Sequence, residues 1–362
     1  MTVRTVPARP EQDASLRPPP WRRMAWVTWR QHRFALGGVA VLLGALAVYL
    51  WHAGLQMHHA YGGATACHPA SSLACQNMIY NFENAYVPAA RTVAALLQVV
   101  PALIGAFVGA PVLARELETG TFRYAWTLSF GRWRWTLAKL VPLAITVTAA
   151  AAVLSLLFSW YYQPIFAAGG QIPLDPTLFD LRGVAFAAWT LAAFAIGALA
   201  GMLIRRVVPA IAATLAAYAG LALAAGLFLQ QHYLTPLVTS NLNLNLNLTL
   251  NPNLNLPGSA WILSRWWTEG EATLSQATMN QVIDPIFQRL MPVVPHDEVH
   301  LYKQPTYLNV LQYLTHHGYT QWTMYQPGSR FWPFQWIEGG WLLALSALLI
   351  AATVWLVRRR AT

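Results

Sequence analysis

Apolar residues in this chain gather into six runs, each about as long as a bilayer's hydrocarbon core is thick, at 35–51, 93–113, 140–162, 183–204, 207–229 and 336–357. About twenty apolar residues in helical form cross roughly 30 Å. A segment buried in lipid must satisfy its own backbone groups, so runs like these become helices. With 56% hydrophobic and only 10% charged residues, the chain is unlike a soluble domain. The expectation is an all-α integral membrane protein with six transmembrane helices.

Charge orients the helices. Arg22, Arg23, Arg30 and Arg33 precede the first run, and Arg115, Arg123, Arg132, Arg134 and Lys139 lie between the second and third. Arg205 and Arg206 separate the fourth from the fifth, and Arg358, Arg359 and Arg360 follow the sixth. Basic residues at alternate junctions obey the positive-inside rule, which predicts cytoplasmic N- and C-termini. The formal net charge of +10 is therefore sorted by membrane side. A nucleic-acid binder would not interrupt its basic residues with every apolar segment, so no nucleic-acid partner is expected.

This topology divides the chain. Residues 1–20, rich in proline and arginine, read as a disordered cytoplasmic tail. Interleaved tryptophan and arginine at 21–34 suit an amphipathic helix in the inner headgroup layer. Residues 35–229 hold spans one to five, with a cytoplasmic loop at 114–139. A large extracellular segment occupies 230–335, and 336–362 form span six and a basic tail.

The loop carries the most informative local pattern. Gly120 followed by Thr121 reads as a helix stop and a helix start, since glycine accepts the left-handed cap conformation and a threonine hydroxyl satisfies free amides. A short helix over about 122–129 would then present Phe122, Ala125 and Trp126 as an apolar ridge facing a partner protein. The run Arg115, Glu116, Leu117, Glu118, Thr119, Gly120, Thr121, directly after the second span, resembles the acidic-x-Gly-Thr turn in permease subunits of six-span ABC-type exporters of drugs, antibiotics and lipids. In that family the loop carries the coupling helix that docks on the ATP-hydrolysing subunit. The resemblance implies coupling roles for Arg115, Glu116, Glu118, Gly120, Thr121, Phe122 and Trp126. Glu118, unfavourable to the dipole of the helix it ends, is expected to be kept for a partner contact.

Several absences narrow the function. Neither lysine, Lys139 or Lys303, sits in a phosphate-binding Gly-rich loop, so ATP hydrolysis of that type belongs to another chain. No Asp, Glu, Lys or Arg falls mid-span, and Glu338 is expected at the outer edge of the sixth run, which disfavours proton- or sodium-coupled carriers.

Smaller features have local readings. Cys67 and Cys75 share a predicted outer loop with His58, His59 and Glu83, and read as a disulfide, with two free thiols as the alternative. Gly105 with Gly109, and Gly197 with Gly201, have the spacing that lets helix backbones approach, within one subunit or at a dimer seam. The Asn-Leu repeat at 241–256 is a low-complexity insertion. His296, Glu298 and His300 form a weak metal candidate without the zinc-protease spacing, so no metal is expected.

Taken with the resemblance, these features describe a permease subunit of the plasma membrane that moves an amphipathic substrate. It has no cofactor of its own, with ATP and magnesium in an ABC-type ATPase partner, and it pairs with a copy of itself or a related permease. The alternatives are a membrane enzyme working at the outer leaflet through the His296 cluster, and a non-transporting assembly or sensor protein.

Overall fold

The computed structural model describes residues 21–68, 72–120, 132–169, 171–240, 260–290, 313–314 and 316–360. The terminal tail, the Asn-Leu repeat, Thr121, Phe122, Trp126 and the cluster of His296, Glu298 and His300 lie outside the described residues.

Among the described residues six helices are long and apolar enough to cross a membrane. Span one is α1 (Trp21–Thr65). Span two joins α2 (Leu73–Ile104), a π-helical turn (Gly105–Gly109) and α3 (Ala110–Thr119). Span three is α4 (Arg132–Ala168), and a one-turn helix, α5 (Pro176–Phe179), leads to span four, α6 (Ala185–Ile204). Span five is α7 (Val207–Ala224), continued by a second π turn (Ala225–Leu229) and a 3-10 turn (Gln230–His232). Span six is α9 (Phe331–Arg360).

The first hairpin departs from the sequence expectation. Helix α1 does not break between 34 and 35, where no proline or capping residue interrupts it, so the expected interfacial segment 21–34 is continuous with span one. Nor does it end at Trp51; it runs to Thr65, and α2 begins at Leu73. His58, His59 and Glu83 therefore lie on helices and not in a loop. The Cys67–Cys75 disulfide clasps the turn, whose second helix is capped by the Ser72 hydroxyl accepting from Cys75 N. The hairpin leans on span three, where Trp160 stacks on Trp51 and His58, and His58 Nε2 bonds Trp160 O at 2.9 Å.

Span four is the axis of the bundle. In its most apolar stretch 67% is buried, against 17% for spans one and five, and spans two, three, five and six all pack on it. Alanine and glycine make this possible, because small side chains let four neighbours reach one helix. Spans one and five keep Val41, Val48, Val208, Leu223 and Phe228 exposed, as suits helices bordering lipid.

The expectation of an all-α chain fails between spans five and six. There β1 (Leu237–Ser240), β2 (Trp261–Glu269), β3 (Ala272–Leu274) and β4 (Tyr319–Gln326) form an antiparallel sheet of order β1-β4-β2-β3. Helix α8 (Gln276–Leu290) packs on it through Met279, beside Trp267 and Leu314. Strands form because β2 and β4 are rich in aromatic and β-branched residues, with Trp266 stacked on Trp322 across the ladder. The sheet joins the helices where Gln326 Nε2 donates to Leu234 O at 2.7 Å and Arg330 Nη1 donates to Thr235 O at 2.7 Å. The bundle thus has a sheet end and an opposite, basic end bearing Arg115, Arg205, Arg206 and Arg358.

Candidate functional site

At the basic end, α3 stops where expected: Gly120 takes φ +73°, the left-handed cap conformation that glycine adopts without steric penalty. Two glutamates in the last turn before it reach different neighbours. Glu116 pairs with Lys139 of span three, whose side chain is only 6% exposed and lies 4.5 Å from the centre of the Trp135 ring. Glu118 Oε2 accepts from Val207 N at 3.0 Å, capping the first turn of span five. That bond revises the dipole argument. The carboxylate ends one helix unfavourably but sits at the amino terminus of another, where backbone amides favour negative charge. Glu118 therefore has a partner inside the chain. Arg205, left-handed at φ 59°, makes the sharp turn that brings Val207 there. Arg115, partly removed from this junction, is exposed on α3.

Behind this junction the structure brings the four glycines together. An added Cβ would meet Ala193 O at 2.5 Å from Gly105 and Phe194 O at 2.6 Å from Gly109. From Gly197 it would strike Gly105 O and Ala110 N, and from Gly201 the carbonyl of Ala110. Spans two and four thus touch backbone to backbone within one chain. The π turn lies in this seam: Ala110 N donates to Gly105 O, five residues back. Pro111 explains it, since proline cannot donate and its ring crowds the carbonyl four residues earlier, so the ladder opens by one residue just before it.

At the sheet end a buried polar cluster joins spans four, five and six. Glu338 is fully buried, two turns inside α9 and not at its edge, because the helix starts at Phe331. Trp189 Nε1 donates to Glu338 Oε1 at 2.7 Å, and Gln230 Nε2 and Tyr233 OH each donate to Oε2 at 3.2 Å. Trp341 Nε1 donates in turn to Tyr233 OH at 2.9 Å. Gln230 Nε2 also donates to Asp180 Oδ1 at 2.8 Å, placing a second carboxylate beside Glu338. Burial, and then the charge of Glu338, pushes the Asp180 carboxyl well above its ordinary value. Close by, Gln335 is buried with both amide atoms used, accepting from Ala185 N at 2.9 Å and donating to Phe179 O at 3.0 Å. Arg182 lies over the rings of Phe166 and Phe331, and burial lowers its guanidinium to about 10.

The second π turn aims this cluster. Gln230 N donates to Ala225 O, and the inserted residue turns everything after it by about 100° relative to a regular helix. The sequence sets Gln230 at the start of the outer segment and Glu338 at the edge of the last run, and nothing in it brings either to Asp180. Their signal was a carboxylate inside a run that turns out to be helical from 331 onward. Among the described residues no group of three His, Cys, Asp or Glu side chains could hold a metal.

Residues 40–230, more than half of the chain, match the family described as ABC-2 membrane transporter related. The chain belongs to that family. No curated protein and no solved structure matches it. ABC-2 membrane proteins are the membrane-spanning, permease components of transporters and in general work with ABC-type ATPases. The match takes in spans one to five, so the basic junction and the glycine seam belong to the family portion. The sheet and Glu338 lie beyond it.

Proposed function

We propose that this chain is the permease subunit of an ATP-driven exporter, coupled through residues 114–139 to a separate ABC-type ATPase that binds ATP and magnesium. Its cargo would be amphipathic, a drug, an antibiotic or a lipid, and it would work in the plasma membrane as a homodimer or with a related permease. The observation that carries this reading is the junction beside the loop. Glu116 and Glu118, two residues apart in the last turn of α3, tie the helix entering the loop to spans three and five, while the glycine seam ties the same span to span four. A displacement of the loop by a nucleotide-driven partner would reach three spans through two polar bonds and one backbone-to-backbone packing.

In this scheme the residues divide the work. Phe122 and Trp126 contact the ATPase, Gly120 and Thr121 set the turn that presents them, Arg115 adds positive charge beside the contact, and Glu116 and Glu118 pass the movement on. Replacing Phe122 and Trp126 with alanine removes two aromatic anchors of a kind that can each cost ~2 kcal/mol or more at an interface. The test is co-purification of an ABC-type ATPase with wild type and with that double variant. Loss of the ATPase from a variant that still inserts supports the reading; equal recovery contradicts it. Cysteines placed at Thr127 and Gln276 test the orientation, since they should label from opposite sides of the membrane.

A further inference from the structure

At the sheet end a cleft of about 390 Å³ opens between span two and the α5 turn. One stripe of span two forms its floor: Arg91, Ala94, Ala95 and Gln98, spaced to share a helical face. The opposite wall is Leu178 with Asp175 and Thr177 at the start of α5. The alanines leave the space, and Gln98 Nε2 closes one end by donating to Thr177 O at 2.8 Å. Asp175 Oδ1 accepts from Thr177 N at 2.9 Å and from Thr177 Oγ1 at 2.7 Å, which fixes the carboxylate at the helix start. Among the described residues Arg91 and Asp175 form no ion pair with each other. The cleft thus holds a guanidinium and a carboxylate apart. The buried, unbonded hydroxyl of Tyr162 lies within electrostatic range of both.

Depth identifies the occupant. Arg91 and Arg115 are separated by about 36 Å of helix, slightly more than the ~30 Å hydrocarbon core. If Arg115 lies in one headgroup layer, Arg91 lies in the other, and Gln98 is about 10 Å deeper along the same face. The cleft therefore starts at headgroup level and ends at the Gln98–Thr177 bond, with the apolar surface of Ala94, Ala95 and Leu178 between its polar groups. We infer that it binds a zwitterionic membrane phospholipid, with the phosphate on Arg91, the headgroup amine toward Asp175 and the first carbons of an acyl chain against Ala94 and Ala95. Arginine's planar fork matches phosphate oxygens, and Asp175 selects an amine-bearing headgroup over an anionic one. The inference rests on the membrane topology and is independent of ATPase coupling, since a chain that docks no ATPase would still retain the lipid.

The experiment uses the full chain reconstituted with equal phosphatidylethanolamine and phosphatidylglycerol, extracted in mild detergent, and analysed for retained lipid by native mass spectrometry. Wild type should keep phosphatidylethanolamine in excess over phosphatidylglycerol. Arg91→Ala should lose retained phosphatidylethanolamine by roughly tenfold, as expected for losing a charge-assisted bond. Asp175→Asn keeps a capping side chain but removes the charge, and the two lipids should then be retained equally. Ala95→Phe should exclude both by filling the cleft. A wild-type chain that retains the two lipids in bulk proportion overturns the inference, as does an Arg91→Ala chain that retains phosphatidylethanolamine like wild type. Should Arg91→Ala fail to fold, Asp175→Asn decides: a wild-type lipid ratio in that variant overturns the proposal.

Discussion

The two ends of the helical bundle are held by different means. At the sheet end, Glu338 receives three side-chain donors, Gln335 bonds two backbone groups, and strands β1 to β4 are anchored to the helices through Gln326 and Arg330. At the basic end, the helix entering the loop is tied by one ion pair and one capping bond. A buried network missing one member strands its other members, so it resists partial opening. A pair of separate bonds can move as levers. Under the proposed function the sheet end would be the clamp and the basic end the part that moves, with the glycine seam between them serving both.

The largest expected effect comes from the shared seam. Gly197→Val would drive a side chain into the backbone of Gly105 and Ala110, where nothing flexible can yield. A cost of about 3 kcal/mol, the upper range of overpacking, should appear as lost thermal stability and as loss of ATPase response together. Retention of either would mean that the ends do not share this seam.

Next, Glu338→Ala should destabilise the sheet end by about 2 kcal/mol, because it leaves the buried Trp189 donor and the half-buried Tyr233 hydroxyl without their acceptor and Gln230 with Asp180 alone. Glu338→Gln keeps an acceptor and should recover most of the loss in thermal unfolding followed by tryptophan fluorescence. An alanine variant as stable as wild type would remove the clamp from the comparison.

A smaller effect is expected from pH. Burial raises the Asp180 carboxyl above the unfolded value of 3.8, so the folded state holds the proton more tightly. Its contribution is fully present below 3.8 and is lost as pH rises toward the folded value, at no more than about 1.4 kcal/mol per pH unit. Thermal unfolding of wild type should show this fall, and Asp180→Asn should flatten it. The smallest effect on stability belongs to Glu118→Ala, about 1 kcal/mol for one lost cap.

The spans were legible because a run of apolar residues has one physical outcome in lipid, and the stop at Gly120 was legible because left-handed backbone favours glycine. The glycine spacings were visible, but spacing alone does not say which helix lies opposite, and only the fold sets Gly105 and Gly109 against span four. The sheet was hidden. In β2 and β4, WILSRWWTE and YTQWTMYQ, aromatic residues fall on both faces, so no two-residue alternation marks a strand. Gln230 and Glu338 were hidden for another reason: they meet across 108 positions, and a π turn with no local signature sets the angle at which Gln230 arrives. The extension of α1 beyond Trp51 was missed because the segment is too polar to read as membrane, although nothing in it stops a helix before Thr65.

The claim that the basic end transmits movement is tested most directly by ATP hydrolysis in complexes of the ATPase with wild type, Glu118→Ala and Glu338→Gln. Glu118→Ala should still co-purify with the ATPase, because its docking residues are untouched, yet permease-stimulated hydrolysis should fall by about fivefold or more, the scale of a coupling free energy between two sites. Glu338→Gln should stimulate hydrolysis as wild type does. If Glu118→Ala stimulates the ATPase fully, the bond from α3 to the start of span five is a cap and nothing more, and the basic end is not the transmitting one.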